Sequence, residues 1–334
     1  MPLSETLLEA IENALHEVIT QAGVEVTGGI YPMLAYHLGW EGEGAGPEAR
    51  GKRIRPLLLL LATQAAGGEW KRAIPAAAAV ELVHNFSLIH DDIEDNSPIR
   101  RGRPTLWKLW GIPQAVNAGD AMFTLAHLSM LRLRETSSAE ITLQASHLLH
   151  QTCLLLTQGQ FLDISYQTRP DLTLDDYWPM VSGKTAALLS ACTELGAVVA
   201  GAADFICLAF RQLGHALGLA FQSQDDFLGI WGDSMLTGKS VESDLVEGKL
   251  SLPILYGLEQ NGPFAHRWQQ GPITPQEVPS MAALLENEGA RLYTQNMASR
   301  WTREAIQALD QIDPQGEAGQ DLRNLAISLL NRQV

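Results

Sequence analysis

Helical spacing of apolar residues runs through almost the whole of this chain, and the two-residue alternation of a half-buried strand appears nowhere convincingly. That property confines the 334 residues to a helical architecture. A first amphipathic helix is expected from about Glu5 to Ala22, capped by Ser4, with Leu7, Leu8, Ile11, Leu15 and Ile19 on one side. A Gly-rich loop, HLGWEGEGAGPEARGKR, follows. A buried helix is expected from Pro56 to about Ala66, and another over AIPAAAAVELVHNFSLIHDD, whose alanines permit close helix contact. Further helices are expected over about 114–135, 138–167, 174–200, 203–231, 250–260, 279–288, 291–309 and 316–332, with a proline-rich surface excursion, NGPFAHRWQQGPITPQEVP, among them. No repeat and no linker divides the chain. The expectation for residues 1–334 is therefore one all-α domain, a large helical bundle.

The helix over AIPAAAAVELVHNFSLIHDD ends in an unusual way. Asp91, Asp92, Glu94 and Asp95 crowd its end, and Arg100, Arg101 and Arg103 follow at once. Asp91 and Asp95 share a helix face about 6 Å apart along the axis, where like charges repel. A helix C-terminus is also the unfavourable end for carboxylates. A divalent cation offsets both costs, and hard carboxylate oxygens suit Mg²⁺ shared with substrate phosphates. The bland reading is an exposed acidic end neutralised by the arginines. A second cluster, Asp225 and Asp226 in AFQSQDDFLGIWGD, also has apolar flanks that would carry it inward, with Asp233 further on. Two acid pairs on separate helices of a bundle can hold metals between them.

The net charge of −15 argues against nucleic acid as a partner. Against that acidic background, local basic groups are informative: Lys52, Arg53 and Arg55; Arg100, Arg101 and Arg103; Lys184 beside Thr185; Lys239 and Lys249. Arginine forks and lysine point charges bind phosphate oxygens, so metals and cations converging on one cavity describe one or two diphosphate sites. Each basic group taken alone reads more readily as a solvated surface turn, and the joint arrangement carries the weight. Cys153, Cys192 and Cys207 form no CxxC pair and read as buried thiols in a reducing cytoplasm. The N-terminus carries acids rather than a basic leader, and no apolar run is long enough for stable membrane insertion.

In the order GKRIRP, ELVHNFSLIHDDIEDNSPIRRGRPT, GKT, FQSQDDFLGIWGD and GKSVESDLVEGKLSLP, the sequence resembles the trans-isoprenyl diphosphate synthases, the polyprenyl synthetase family. The resemblance covers nearly the whole chain. It implies an all-α fold around a deep central cavity, a homodimer, and Mg²⁺, about three ions per active site. It also implies head-to-tail condensation of isopentenyl diphosphate with an allylic diphosphate. Carried over by position, Asp91, Asp92 and Asp95 form the first metal motif, with Asp91 and Asp95 as the main ligands. Asp225 is the ligand from the second motif, with Asp226 and Asp244 in support. Arg100, Lys184 and Lys239 would hold the allylic diphosphate, and Thr185 and Gln222 would line its reacting end. Lys52, Arg55, His84 and Arg101 match the isopentenyl diphosphate pocket, with Lys249 near the diphosphates.

One position departs from the family pattern. The second motif ends in Gly229 where the family usually has a third acid. The resemblance also places the chain-length determinants just before the first motif, at Phe86 and Ser87. One aromatic with one small residue resembles the C20 synthases, with Phe86 as the floor; C15 is the next reading. Ordinary core packing is the plain alternative for Phe86. Two other functions stay open: a class I terpene cyclase, which would need no isopentenyl diphosphate pocket, and a non-catalytic subunit of a heteromeric synthase, which would be expected to lose its acid clusters.

Overall fold

A computed structural model describes residues 3–23, 29–169, 171–232, 244–314 and 316–330. Among these residues the chain is all-α apart from one pair of two-residue strands. It divides into two compact units, Met1–Gln151, Ala191–Leu208 and Asp313–Leu322 in the first, and Thr152–Ser190, Ala209–Ile312 and Arg323–Val334 in the second.

The first unit is built on α1 (Leu3–Gly23), α2 (Tyr31–His37), α3 (Pro47–Arg50), α4 (Ile54–Ala65), α5 (Ile74–Glu94), α6 (Leu106–Trp110) and α7 (Ile112–Leu131), with the short strands β1 (Ile99–Arg100) and β2 (Arg103–Pro104) between α5 and α6. Helix α5 packs against α1, α4 and α7. Small side chains make this possible: Ala76 to Ala79 on α5 and Ala115, Ala118 and Ala126 on α7 are wholly buried. At Gly119 of α7 an added Cβ would lie 2.5 Å from Cδ2 of His90, so glycine sets how closely α7 passes the end of α5. Arg53 locks the start of α4 to its neighbours. It adopts a left-handed conformation (φ 48°) and is buried. Its Nε donates to Glu12 Oε1 at 2.6 Å and its Nη1 to Glu81 Oε1 at 2.8 Å, while Asn85 Nδ2 donates to the same Glu81 oxygen at 2.9 Å.

The second unit takes in the end of α8 (Ala139–Tyr166), then α9 (Leu174–Val181), the start of α10 (Ala187–Ala200), most of α11 (Asp204–Trp231), α12 (Asp244–Glu247), α13 (Leu252–Glu259), α14 (Pro263–Trp268), α15 (Val278–Asn287) and α16 (Ala290–Ile312), with the end of α17 (Gly316–Leu330). Tyr177, Val181, Leu219, Leu252 and Leu255 form one apolar cluster, and Ile230, Leu245, Ile254, Phe264 and Leu285 another. Thr173 and Asp176 make a reciprocal capping box that starts α9.

Three local features differ from the sequence expectation. The stretch over 174–200 is not one helix: a wide π-type turn at Ser182–Ala186 separates α9 from α10. The proline-rich excursion contains α14, because Pro263 stands in its first turn, where its fixed φ suits a helix and no amide hydrogen is missed. The RRGR segment forms a hairpin. Cys153, Cys192 and Cys207 are buried thiols, and burial pushes those of Cys153 and Cys192 up to about 12. No helix among the described residues is long and apolar enough to cross a membrane.

Candidate active site

In the first unit the site grows from the last turn of α5. The amide of Asp95 donates to the carbonyl of Asp91 at 2.8 Å, so the two residues share a face one turn apart. Asp91 is half-buried and Asp95 exposed. Asp92 is different: it is 2% exposed, and its Oδ1 accepts from Arg100 Nε at 2.7 Å. Burial raises the Asp92 carboxyl while the Arg100 guanidinium opposes that shift.

Arg100 reaches Asp92 because the chain reverses tightly after it. Arg100 pairs with Arg103 across an antiparallel ladder. The two residues between, Arg101 and Gly102, have φ of 51° and 72°, the signature of a type I′ turn. Glycine suits this conformation; arginine adopts it against its steric preference, and such strain gathers at functional positions. Arg101 Nη1 donates to the carbonyl of Ala49 at 2.9 Å. Its guanidinium lies where a Cβ on Gly51 would come within 2.8 Å, so the GKRIRP loop leaves room for it. Arg103 is buried and structural: it donates to the carbonyls of Glu43, Tyr36 and Glu41 and stacks on the Tyr36 ring at 3.8 Å.

Arg55 Nη1 lies 3.2 Å from His84 Nε2. Burial holds the His84 pKa well below the ordinary imidazole value, reinforced by Arg55, Arg101, Arg100 and His37. His37 is lowered in the same way by burial and then by Arg101, Arg100, Arg53 and Arg103. Both imidazoles are therefore neutral among several guanidiniums. A small cleft is lined by His37, Asp92, Arg100 and Arg101 among others. Cations outnumber anions there, which suits a polyanion. Lys52 is exposed. Upstream on α5, the Phe86 ring meets Phe123 edge-on at 4.8 Å and His90 at 5.6 Å, and Ser87 Oγ donates to the carbonyl of His84 at 2.8 Å.

In the second unit, Gly159 and Gly183 pack backbone against backbone. A Cβ on Gly159 would lie 2.5 Å from the carbonyl carbon of Gly183, and one on Gly183 would lie 2.7 Å from the carbonyl oxygen of Leu155. The π-type turn here carries Lys184 and Thr185; such turns recur at functional sites. Lys184 Nζ pairs with Asp163 at 2.5 Å. Thr185 Oγ1 donates to Gln222 Oε1 at 2.8 Å, and Gln222 Nε2 donates to Asp226 Oδ1 at 2.8 Å. Asp226 Oδ2 also accepts from Tyr177 OH at 2.7 Å and from the Leu252 amide at 2.8 Å. Asp226 is 5% exposed; burial pushes its carboxyl up to about 7, and the nearby Asp244 adds to the rise while the three donors restrain it. Asp225 is half-buried on the same turn of α11. Burial also raises the Asp244 carboxyl; Lys249 opposes the rise and Asp225 adds to it. Lys249 Nζ pairs with Glu247 Oε2 at 2.6 Å. Lys239 and Asp233 lie outside the described residues.

Comparison with known proteins decides the family. The polyprenyl synthetase family model matches residues 46–278, well over half of the chain. The chain belongs to the polyprenyl synthetase family. It is 38% identical to the (2E,6E)-farnesyl diphosphate synthase of Mycobacterium tuberculosis, over 96% of this chain and 92% of that protein. It is 39% identical to the geranylgeranyl diphosphate synthase of the same organism, over 92% of this chain and 89% of that one. Among solved structures, the polyprenyl synthase from Caulobacter crescentus, complexed with calcium and isoprenyl diphosphate, is similar with a TM-score of 0.82 and 31% identity over 99% of this chain and 97% of that one.

Sequence reasoning passed over several residues that the polyprenyl synthetase fold places at these positions. His37 sits in an apolar helix, YPMLAYH, with nothing local to mark it. Tyr177 and Asp163 are single polar groups in helical runs, and only their partners, Asp226 and Lys184, give them away. Gly159 and Gly183 carried a usable signal, since paired glycines in helical stretches imply close backbone approach.

No three Asp, Glu, His or Cys side chains among the described residues are arranged as a ready metal cage. Mg²⁺ rarely needs one, because it binds through one or two carboxylates and fills its shell with water and substrate phosphate. Asp91 with Asp95 and, in the other unit, Asp225 offer oxygen donors of that kind.

Proposed function

We propose that this chain, a short-chain trans-prenyl diphosphate synthase, extends allylic diphosphates with isopentenyl diphosphate to the C20 product, geranylgeranyl diphosphate. The observation that carries the reading is the end of α5. Asp91 and Asp95 stand on one face there, while a two-residue turn hangs Arg100 and Arg101 beside them and Asp92 fixes Arg100 from the buried side. The C20 assignment rests on Phe86, whose ring is braced by Phe123 one turn before the acids, with the small Ser87 next to it.

In this reading Arg100, Lys184 and Lys239 hold the allylic diphosphate. Lys52, Arg55, His84 and Arg101 hold that of isopentenyl diphosphate, with Lys249 nearby. The neutral His84 offers its ring as a hydrogen-bond partner without adding to the repulsion among the guanidiniums. Asp91, Asp95 and Asp225 would hold Mg²⁺, which supplies charge neutralisation to the departing diphosphate. Asp92 and Asp226, both buried and bonded, position Arg100 and Gln222. Thr185 and Gln222, tied to each other, present a rigid polar edge to the reacting end of the allylic chain. Apolar walls around that edge exclude water from the carbocation.

The experiment is product analysis by mass after incubation with isopentenyl diphosphate and dimethylallyl, geranyl or farnesyl diphosphate. A dominant C20 alcohol after dephosphorylation is expected from each primer. A C15 end point would overturn the length assignment. Diphosphate release with a cyclic hydrocarbon and no need for isopentenyl diphosphate would overturn the condensation.

We also propose a homodimer. Ile112 and Val116 near the start of α7 and Leu128 and Leu131 near its end are exposed, two apolar patches that a second copy would cover. Sedimentation equilibrium at micromolar protein should give twice the mass of one chain, and Leu128→Glu should shift it towards the monomer. A monomeric parent protein would exclude this assembly.

A further inference from the structure

Three cations fall within four residues at the start of α4, Lys52, Arg53 and Arg55, and the fold sends them to three different places. Lys52 is exposed, Arg55 Nη1 faces His84 Nε2 at 3.2 Å, and Arg53 turns inward. Arg53 adopts φ 48° and ψ 36°, a left-handed conformation that a side chain resists, and such a residue persists only where its surroundings over-determine it. Here they do. Its Nε donates to Glu12 of α1, its Nη1 to Glu81 of α5 and its Nη2 to the carbonyl of Leu38 at 3.3 Å. Glu12 is itself fixed: its other oxygen accepts from Trp40 Nε1 at 3.0 Å, and the Trp40 ring stacks at 3.7 Å on His16, one turn further along α1. Burial works to raise the Glu12 carboxyl, but the bond and charge of Arg53 outweigh it and hold the group below its ordinary value.

Glu81 is where this clamp meets the pocket. It lies one turn before His84 and Asn85 on α5, and Asn85 Nδ2 donates both to its carbonyl, at 2.8 Å, and to its Oε1. The Arg53–Glu81 bond therefore sets the register of the start of α4 against the turn of α5 that carries His84, the register that brings Arg55 to His84. Glu81 also serves the neighbouring guanidiniums. Burial lowers the pKa of Arg101, and the Glu81 carboxylate is the first charge to oppose that fall; it acts on the buried Arg55 in the same sense.

We propose that Arg53 is the positioning residue of the isopentenyl diphosphate pocket, with Glu12 and Glu81 as its two anchors, so that α1 acts on the pocket through Arg53. The proposal rests on the prenyltransferase reading for which diphosphate that pocket takes. Arg53 touches no substrate; it keeps Lys52 outward and Arg55 against His84, and it withdraws one guanidinium charge from a crowded space. The competing role is a helix clamp that stabilises the first unit and leaves binding alone.

The test separates binding from folding. Glu12→Ala, and Arg53→Lys, which keeps the charge but loses the fork, should each raise KM for isopentenyl diphosphate about tenfold or more. KM for the allylic diphosphate should move by less than about twofold, and kcat by less than about threefold. Titration calorimetry with isopentenyl diphosphate alone should show the same loss as a weaker Kd. Leu15→Ala is the control. Leu15 is wholly buried on α1, so its truncation should lower the melting temperature at least as much as Glu12→Ala, with both KM values within about twofold of the parent. A parent-like KM for isopentenyl diphosphate in either folded variant overturns the proposal, and so does an equal rise in Leu15→Ala or in the allylic KM. Arg53→Lys carries the test if Glu12→Ala does not fold. Weaker isopentenyl diphosphate binding in variants of a parent that makes no prenyl product would overturn the condensation reading and leave the positioning role standing.

Discussion

Asp91→Ala is expected to lower kcat on the order of a thousandfold or more at saturating Mg²⁺, because losing about 4 kcal/mol of transition-state charge stabilisation corresponds to that factor. The same substitution should leave the fold intact. Asp91 stands in the last turn of α5, where a carboxylate opposes the helix dipole, an interaction of about 0.3–1 kcal/mol in the wrong direction. Melting of the metal-free protein should therefore stay within a few degrees of the parent. Asp92→Ala should behave in the opposite way. Asp92 is buried against Arg100, so its removal leaves a half-buried guanidinium without its carboxylate and should cost stability as well as turnover. Turnover of Asp91→Ala within tenfold of the parent would sink the metal assignment at this motif.

The contrast between Asp91 and Asp92 shows where sequence reading stops. The motif and its spacing were legible, and so was the shared face of Asp91 and Asp95, since helix periodicity sets both. That Asp92 turns inward to Arg100 depends on a hairpin whose strands are two residues long, too short for alternation to register. The RRGR run contains the one residue, Gly102, that permits the turn, but the left-handed Arg101 beside it has no sequence signature. The π-type turn that carries Lys184 and Thr185 was invisible for a similar reason: one extra residue in a helical turn barely disturbs the apolar pattern. Gly229 reads as a lost acid because the sequence shows only what is absent from α11; that the Asp244 carboxylate, fifteen residues on, occupies the volume a side chain at 229 would fill depends on another element. The two-unit division had no signature either. Four of its five boundaries fall within α8, α10, α11 and α17, where composition does not shift, and only the one after Ile312 coincides with a Pro- and Gly-containing connection. The long helices were legible, through one-face burial in α1 and through near-continuous apolar runs in α4 and α10, which are buried all round, whereas short α2, α3, α6 and α14 carry too few turns for a period to register.

The second large effect is on product length. Phe86→Ala should lengthen the product, and the structure sets how far. The Phe86 ring does not stand alone: Phe123 lies edge-on to it at 4.8 Å, and Phe123 in turn meets His127 at 4.5 Å, so in the proposed reading the floor is a stack of rings. His127 stacks on His150 at 4.4 Å, and burial followed by the His150 charge lowers its pKa, so it faces the aromatics as a neutral ring. On the proposed reading, removing Phe86 opens space as far as Phe123, and the expected product is a mixture of the parent length and one isoprene unit longer. Removing Phe123 as well opens the path to the His127 ring, and longer products should follow. Both phenylalanines are half-buried, so the cost in stability should fall below the roughly 3–5 kcal/mol of a fully buried Phe→Ala change. Chromatography of the dephosphorylated products from parent, Phe86→Ala and Phe86→Ala/Phe123→Ala reads the series directly. An unchanged distribution in a folded Phe86→Ala variant would make the ring ordinary core. A double variant no longer-chained than the single would move the second barrier away from Phe123.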